Sequence, residues 1–224
     1  MINAKTLTAF PILLLATAAA TGAQSLERRH QIELRLGAWS QVTDTRTEVG
    51  AAGVATTVAA TGFLGGVAYG HWLQENLALK ISIGAMAGSV DTEVGTAGVT
   101  TEFAVVAPLL IGLKYYFPNS TYGSAVRPFV TGNVGAFVGS QARTETGATV
   151  TVEQRTEPAV GGEAGAGIDF LLGNHFLLSV LLAYDLMADF ERPIGGSDNY
   201  SGPQLTLGIG YVFGGGSRQS PRNE

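Results

Sequence analysis

The sequence predicts an all-β fold: an eight-stranded antiparallel up-and-down transmembrane β-barrel with extended external hairpins. Three observations carry this. The stretch Gln204 to Phe213 alternates strictly, with Leu205, Leu207, Ile209, Tyr211 and Phe213 on one face and Gln204, Thr206, Gly208, Gly210 and Val212 on the other. Other strands repeat the pattern with charges on the small-residue face. A water-soluble barrel would turn its large apolar groups inward, so here the bulky face is read as the one toward acyl chains. Second, the chain is 46% hydrophobic and only 14% charged, where a soluble surface carries roughly 25% charge. Yet after residue 23 no run approaches the ~18 apolar residues of a spanning helix. Third, connections alternate in length: short after strands two, four and six, long after strands one, three, five and seven, as in barrels with short turns at one rim and loops at the other.

The elements follow in order. Residues 1–23 read as a signal peptide: Lys5 gives a basic start, Leu7 to Ala20 is apolar, and Thr21-Gly22-Ala23 offers small residues before a cleavage point. The barrel is placed at 24–213 and a disordered polar tail at 214–224. Strand one sets Ile32, Leu34, Leu36 and Ala38 against Glu33, Arg35, Gly37 and Trp39. Strand two returns through Val54–Val58 and Phe63 to Trp72, and Gln74-Glu-Asn76 turns the chain. Strand three, Leu77 to Val90, opposes Leu77, Leu79, Ile81 and Ile83 to Ala78, Lys80, Ser82 and Gly84. Strand four, Thr101 to Phe117, contains Pro108, which has no N–H for the ladder and predicts a bulge or gap there. Strand five, Arg127 to Ser140, has no clear parity. Strand six, Ala159 to Leu172, opposes Ala164, Ala166, Ile168 and Phe170 to Glu163, Gly165, Gly167 and Asp169. Gly173-Asn174 signals a tight hairpin into strand seven, Phe176 to Leu186.

The long connections repeat themselves. Thr47-Glu-Val-Gly-Ala-Ala-Gly-Val54 recurs as Thr92-Glu-Val-Gly-Thr-Ala-Gly-Val99, with a weaker echo from Thr144 to Val150, a period of about 45–50 residues and one hairpin per repeat. Thr and Val flanks are β-formers, so these connections are expected to be hairpins that carry the strands beyond the ~9–11 residues needed to span. The fourth, Asp189 to Gly202, is Pro- and Gly-rich, with Phe190 and Tyr200. Aromatics cluster at strand ends. Trp72, Tyr115, Tyr116, Phe117, Phe129, Phe176, Tyr211 and Phe213 lie at the short-turn rim, Trp39, Phe63, Phe103, Phe137 and Tyr184 toward the other. They read as two interfacial girdles.

The inward face carries Glu33, Arg35, Lys80, Lys114 and Asp169 toward the short-turn end and Glu102, Glu163 and Asp185 farther out. An eight-stranded barrel is just wide enough to be filled by side chains, and charges buried there must pair. A salt-bridged plug is the reading preferred to a gated ion path. Other chemistries find little support. There is no cysteine, so no disulfide or thiolate site forms. The three histidines, His30, His71 and His175, map to the short-turn rim as isolated interfacial residues rather than metal ligands, and none stands beside a serine on the outer half as a hydrolase would need. The glycine strings do not open a helix, which leaves phosphate-cofactor binding unsupported. A net charge of −5 without a basic block excludes nucleic acid. No cofactor, metal or catalytic group is expected.

Four features together resemble the small outer-membrane protein β-barrel family of the OmpA/OmpX type: the signal segment, Arg-Pro-Phe-Val-Thr-Gly-Asn-Val-Gly-Ala-Phe137, Gly-Gly-Glu-Ala-Gly-Ala-Gly-Ile-Asp-Phe170 and the ending Gly-Ile-Gly-Tyr-Val-Phe213. The resemblance implies a monomeric protein of the bacterial outer membrane, in contact with its lipid and lipopolysaccharide. It also implies that Tyr211 and Phe213 of the last strand are the signal read by the barrel-assembly machinery. The expected role is non-enzymatic, in envelope structure or in surface interaction through the external hairpins. The alternatives are a narrow porin or transporter for small or hydrophobic solutes, with Pro108 marking a lateral opening, and a soluble ligand-binding barrel.

Overall fold

The computed structural model describes residues 26–41, 46–49, 55–58, 61–95, 98–118, 125–146 and 150–214. The expected signal segment and residues 215–224 of the expected tail lie outside these. The strands are β1 (Arg29–Ser40), β2 (Arg46–Val49), β3 (Ala55–Val58), β4 (Thr61–Gln74), β5 (Leu77–Gly95), β6 (Gly98–Tyr116), β7 (Val126–Thr146), β8 (Val150–Leu172), β9 (Phe176–Met187) and β10 (Gly202–Gly214). Eight of them close a barrel in the order β1-β10-β9-β8-β7-β6-β5-β4, and β2 with β3 makes a separate two-stranded sheet. Every pairing is antiparallel; β1 pairs with β4, past the β2–β3 sheet, and closes the barrel at the seam with β10 from Arg29↔Gly214 to Trp39↔Gln204.

Side-chain alternation fixes which face is which. Leu205, Leu207 and Ile209 are 52%, 61% and 63% exposed while Thr206 between them is 1% exposed. The same holds for Ile32, Leu34 and Leu36 against Glu33 and Arg35, and for Leu178, Val180 and Leu182 against Ser179 and Leu181. Such an inversion is unfavourable in water, where each large aliphatic side chain left exposed forgoes about 1.5–3 kcal/mol, and is satisfied by hydrocarbon. The parity of β7 is now resolved: Phe129, Thr131, Asn133 and Phe137 are buried, while Val130 and Val134 face out.

Two of the long connections are tall hairpins, and the first contains a short ladder of its own. The β5–β6 ladder continues to Gly95↔Gly98 and the β7–β8 ladder to Thr146↔Val150, well above the last β8–β9 pair, Gly161↔Met187; β2 and β3 pair from Arg46↔Val58 to Val49↔Ala55. At the other rim Tyr116 N–H bonds to Asn76 O and Val212 N–H to His175 O, tying each turn to the strand beside it.

One expectation is corrected. The girdle assignment fails for Trp39, Trp72, Tyr116, Phe129 and Phe137, which are at most 3% exposed and point into the lumen. A ring at a strand end can face either way, and here small inward residues opposite leave these five room inside. Tyr115, Phe117, Phe176, Tyr211, Phe63, Phe103 and Tyr184 do face outward. At Pro108 the expected interruption takes the form of a gap: pairing of β5 with β6 stops at Ile83↔Leu109 and resumes in the same register at Met86↔Val106, while Pro108 still pairs with Phe137 of β7. The register shift of this hairpin lies higher, between Ala87 and Val90.

Candidate functional site

The site to be explained is the lumen, built in three layers. Toward the loops, Trp39, Met86, Val106 and Phe137 pack with Phe190, Ile194 and Tyr200 of the β9–β10 connection. That connection folds into the mouth instead of standing above it. Its Gly195 and Gly196 adopt left-handed φ of 59° and 77°, which a side-chain-bearing residue rarely tolerates. They turn the chain so that Ile194 exchanges backbone hydrogen bonds with Ser197. Polar clamps hold the cap: Gln41 donates to Ser197 and Asn199, Tyr200 donates to the Ile194 carbonyl, and Asn199 donates to Met187 O at 2.9 Å. Toward the short turns a second apolar layer joins Leu26, Trp72, Tyr116, Phe129, Leu177 and Val212.

The ionic groups lie between these layers around Glu163 and within the lower one at Asp169. Lys114 Nζ is 2.6 Å from Asp169 Oδ2, which also accepts from Tyr116 Oη at 2.8 Å. The same ammonium sits 3.7 Å above the Phe129 ring centroid, a cation–π contact. Lys80 Nζ lies 3.2 Å and Arg35 Nη1 3.9 Å from the two oxygens of Glu163. Glu163 is thus the hub of this half, at the level of Lys80 and Arg35 rather than farther out as its place in the sequence suggested. Of the five residues singled out from sequence, the structure joins Lys114 to Asp169 and Lys80 and Arg35 to a common partner, and leaves Glu33 to Gln31 Nε2 at 2.7 Å. The side chain of Glu102 lies outside the described ones. Sequence reasoning missed the uncharged partners: Asn133 and Gln204 both donate to Glu163, at 2.6 and 2.9 Å, and Gln204 also donates to Asp185 at 3.0 Å. Their inward parity was the available signal.

Glycines create the space these groups use. A Cβ at Gly167 would come 2.5 Å from Phe129 Cζ, and one at Gly112 would come 2.5 Å from Asn133 Oδ1. What space remains is small. A cavity of about 30 Å³ lined by Arg35, Gly84, Met86, Pro108, Glu163 and Asp185 reaches the wall where pairing lapses at Pro108. It has room for a water molecule or two. Among the described residues no group of three or more His, Asp or Glu is disposed to hold a metal.

A closed antiparallel barrel with an apolar exterior and a packed ionic interior defines a transmembrane β-barrel protein. Residues 10–213 match the outer membrane protein beta-barrel domain, and the chain belongs to that family, a protein of the bacterial outer membrane. Similar solved structures include Ail, the attachment invasion locus protein of Yersinia pestis, at 15% identity over 84% of this chain and 99% of that one with a TM-score of 0.49. Neisserial surface protein A shares 12% identity over 83% and 97%, with a TM-score of 0.45. OprG from Pseudomonas aeruginosa shares 14% over 84% and 97%, with a TM-score of 0.44. Among curated proteins none matches.

Proposed function

We propose that this protein is a monomeric, non-enzymatic outer-membrane barrel whose work is done by its external hairpins, in surface interaction or envelope structure, while the lumen serves as a structural plug. The observation that supports this most is the filling of the lumen by two apolar layers around paired charges, which leaves the hairpins as the elements in excess of what spanning requires. Above Gly161 the outer edge of β8 takes one further bond, from Ala188 N–H to Val160 O, and then pairs with no described strand. Since Val160 turns its backbone to that edge, so do Pro158, Thr156 and Gln154. Pro158 guards the lower part against unwanted pairing, and the residues above it can take an added strand from a partner. Tyr211 and Phe213 on the seam strand are assigned as the signal for the assembly machinery, with lipopolysaccharide around the loop-side rim. Deleting residues 44–57, 92–101 and 142–154, which also removes the top of the β7–β8 hairpin, is expected to abolish adhesion to cells or matrix while the barrel still migrates faster before boiling than after. Adhesion that survives in a folded deletion variant would remove the hairpins from this role.

The pairing lapse at Pro108 favours a second reading, lateral exchange of a small apolar solute through the wall. The adjoining cavity is too small for such a solute at rest, so the gap must widen. Pro108→Val, which restores a donor to the ladder, is expected to reduce uptake into a deletion strain. Uptake equal in both strains and in the absence of the protein would dismiss this reading.

A further inference from the structure

The three histidines are not isolated. His30 and His71 are directly opposite across β1 and β4, both on the outward face, with rings stacked at 4.6 Å between centroids. His30 also stacks on Phe213 at 5.5 Å and on Tyr69 at 5.9 Å. Its Nδ1 is 2.6 Å from Tyr69 Oη. With the hydroxyl as donor to Nδ1, the ring carries its proton on Nε2 and offers it outward. His71 Nδ1 is buried without a hydrogen-bond partner. Beside the pair, exposed Arg28 is held in the left-handed region at φ 63°, with its N–H bonded to Trp72 O at 3.0 Å. The space against the His30 ring is kept by Gly214, where a Cβ would come 2.9 Å from His30 Cδ2. Outward Tyr69, Tyr211 and Phe213 place this rim at the depth of the headgroups, and the short-turn side faces the periplasm.

We propose that His30, His71 and Arg28 form a binding site for the phosphodiester of an inner-leaflet phospholipid. Two stacked imidazoles 23° apart supply one N–H each to two oxygens of one phosphate, from Nε2 where His30 Nδ1 is held by Tyr69 and His71 Nδ1 is buried, and the guanidinium supplies the positive charge. Parallel stacking suits a metal poorly, because an ion must lie in the plane of each ring that binds it. His175 provides the internal contrast: it stacks on Tyr211 at 5.8 Å on the same belt with no second histidine opposite.

The test is native mass spectrometry of the full mature chain, released from micelles carrying phosphatidylglycerol, diacylglycerol or soluble glycerol phosphate. Wild type is expected to retain phosphatidylglycerol and neither of the others. His30→Phe/His71→Phe, which keeps the ring stack, should retain it about tenfold more weakly, and His175→Phe as wild type does. Equal retention by wild type and the folded double variant overturns the site, as does retention of diacylglycerol to the same extent. Glycerol phosphate bound as tightly as the lipid overturns the lipid assignment. Should the double variant fail to fold, Arg28→Gln, at an exposed position, carries the same comparison.

Discussion

Asp169 is the residue whose loss should cost most. Its side chain is fully buried, and one oxygen receives both the Lys114 ammonium at 2.6 Å and the Tyr116 hydroxyl at 2.8 Å. Asp169→Leu keeps the volume and removes the acceptor, stranding a cation and a phenol in the lumen. Breaking a buried pair from one side costs about 3–5 kcal/mol. The Phe129 ring, 3.7 Å below Lys114, returns about 1 kcal/mol of that, so a net loss of about 3 kcal/mol is expected. Removing both charges with Lys114→Met/Asp169→Leu should recover most of it, because a well-packed apolar pair is often as stable as the buried ions it replaces. The assay is reversible urea unfolding in lipid vesicles, read by the fluorescence of Trp39 and Trp72, which both lie in the lumen. Ser140→Ala serves as the control. Its hydroxyl lies 3.4 Å from Thr156 Oγ1 in an exposed contact, and its loss should shift stability by less than about 1 kcal/mol. If Asp169→Leu unfolds within about 0.5 kcal/mol of wild type, water satisfies Lys114 and Tyr116 and the Asp169 pair is not part of a structural plug.

Two further outcomes follow from the layered interior. Gly139 abuts the cap: a Cβ there would come 2.8 Å from Phe190 Cζ and 2.9 Å from Ile194 Cγ1. Gly139→Val should therefore lift the β9–β10 connection and raise hydrogen exchange at residues 190–200 while strand amides stay protected; unchanged exchange there would mean the cap is not seated on β7. In planar bilayers the wild-type protein should show no steady conductance, and Gly139→Val should remain closed because the Trp72–Tyr116–Phe129 layer is intact. A reproducible channel in wild type would defeat the plug.

What was legible in the sequence was whatever strict alternation encodes. Leu205 to Phe213 and Glu33 to Arg35 declare their faces because a strand has a period of two and the membrane inverts the usual sign. That placed Lys80, Lys114 and Asp169 on the lumen side without any knowledge of their partners. Alternation fails where both faces mix classes. In β7, Phe129 and Phe137 share the inward face with Thr131 and Asn133, so neither apolarity nor polarity singles out a side. Asn133 and Gln204 were passed over because uncharged amides do not announce a partner, although they satisfy Glu163. The inward fold of Phe190, Ile194 and Tyr200 depends on loop geometry that has no period at all.

The cap bears on how the molecule comes apart. It grips β1 through Gln41 and through Trp39, whose ring lies 5.5 Å from that of Tyr200. It grips the far wall through Arg192 on Glu157 and the Gly195 N–H on Gln141 at 3.1 Å. The β1–β10 seam joins the first and last strands of the barrel, where a zipper would start to open. A staple formed by the connection entering β10 lies across it, so parting the seam first requires lifting Phe190 and Ile194 out of the mouth. Resistance to unfolding is thereby a matter of rate as much as of depth of the energy well.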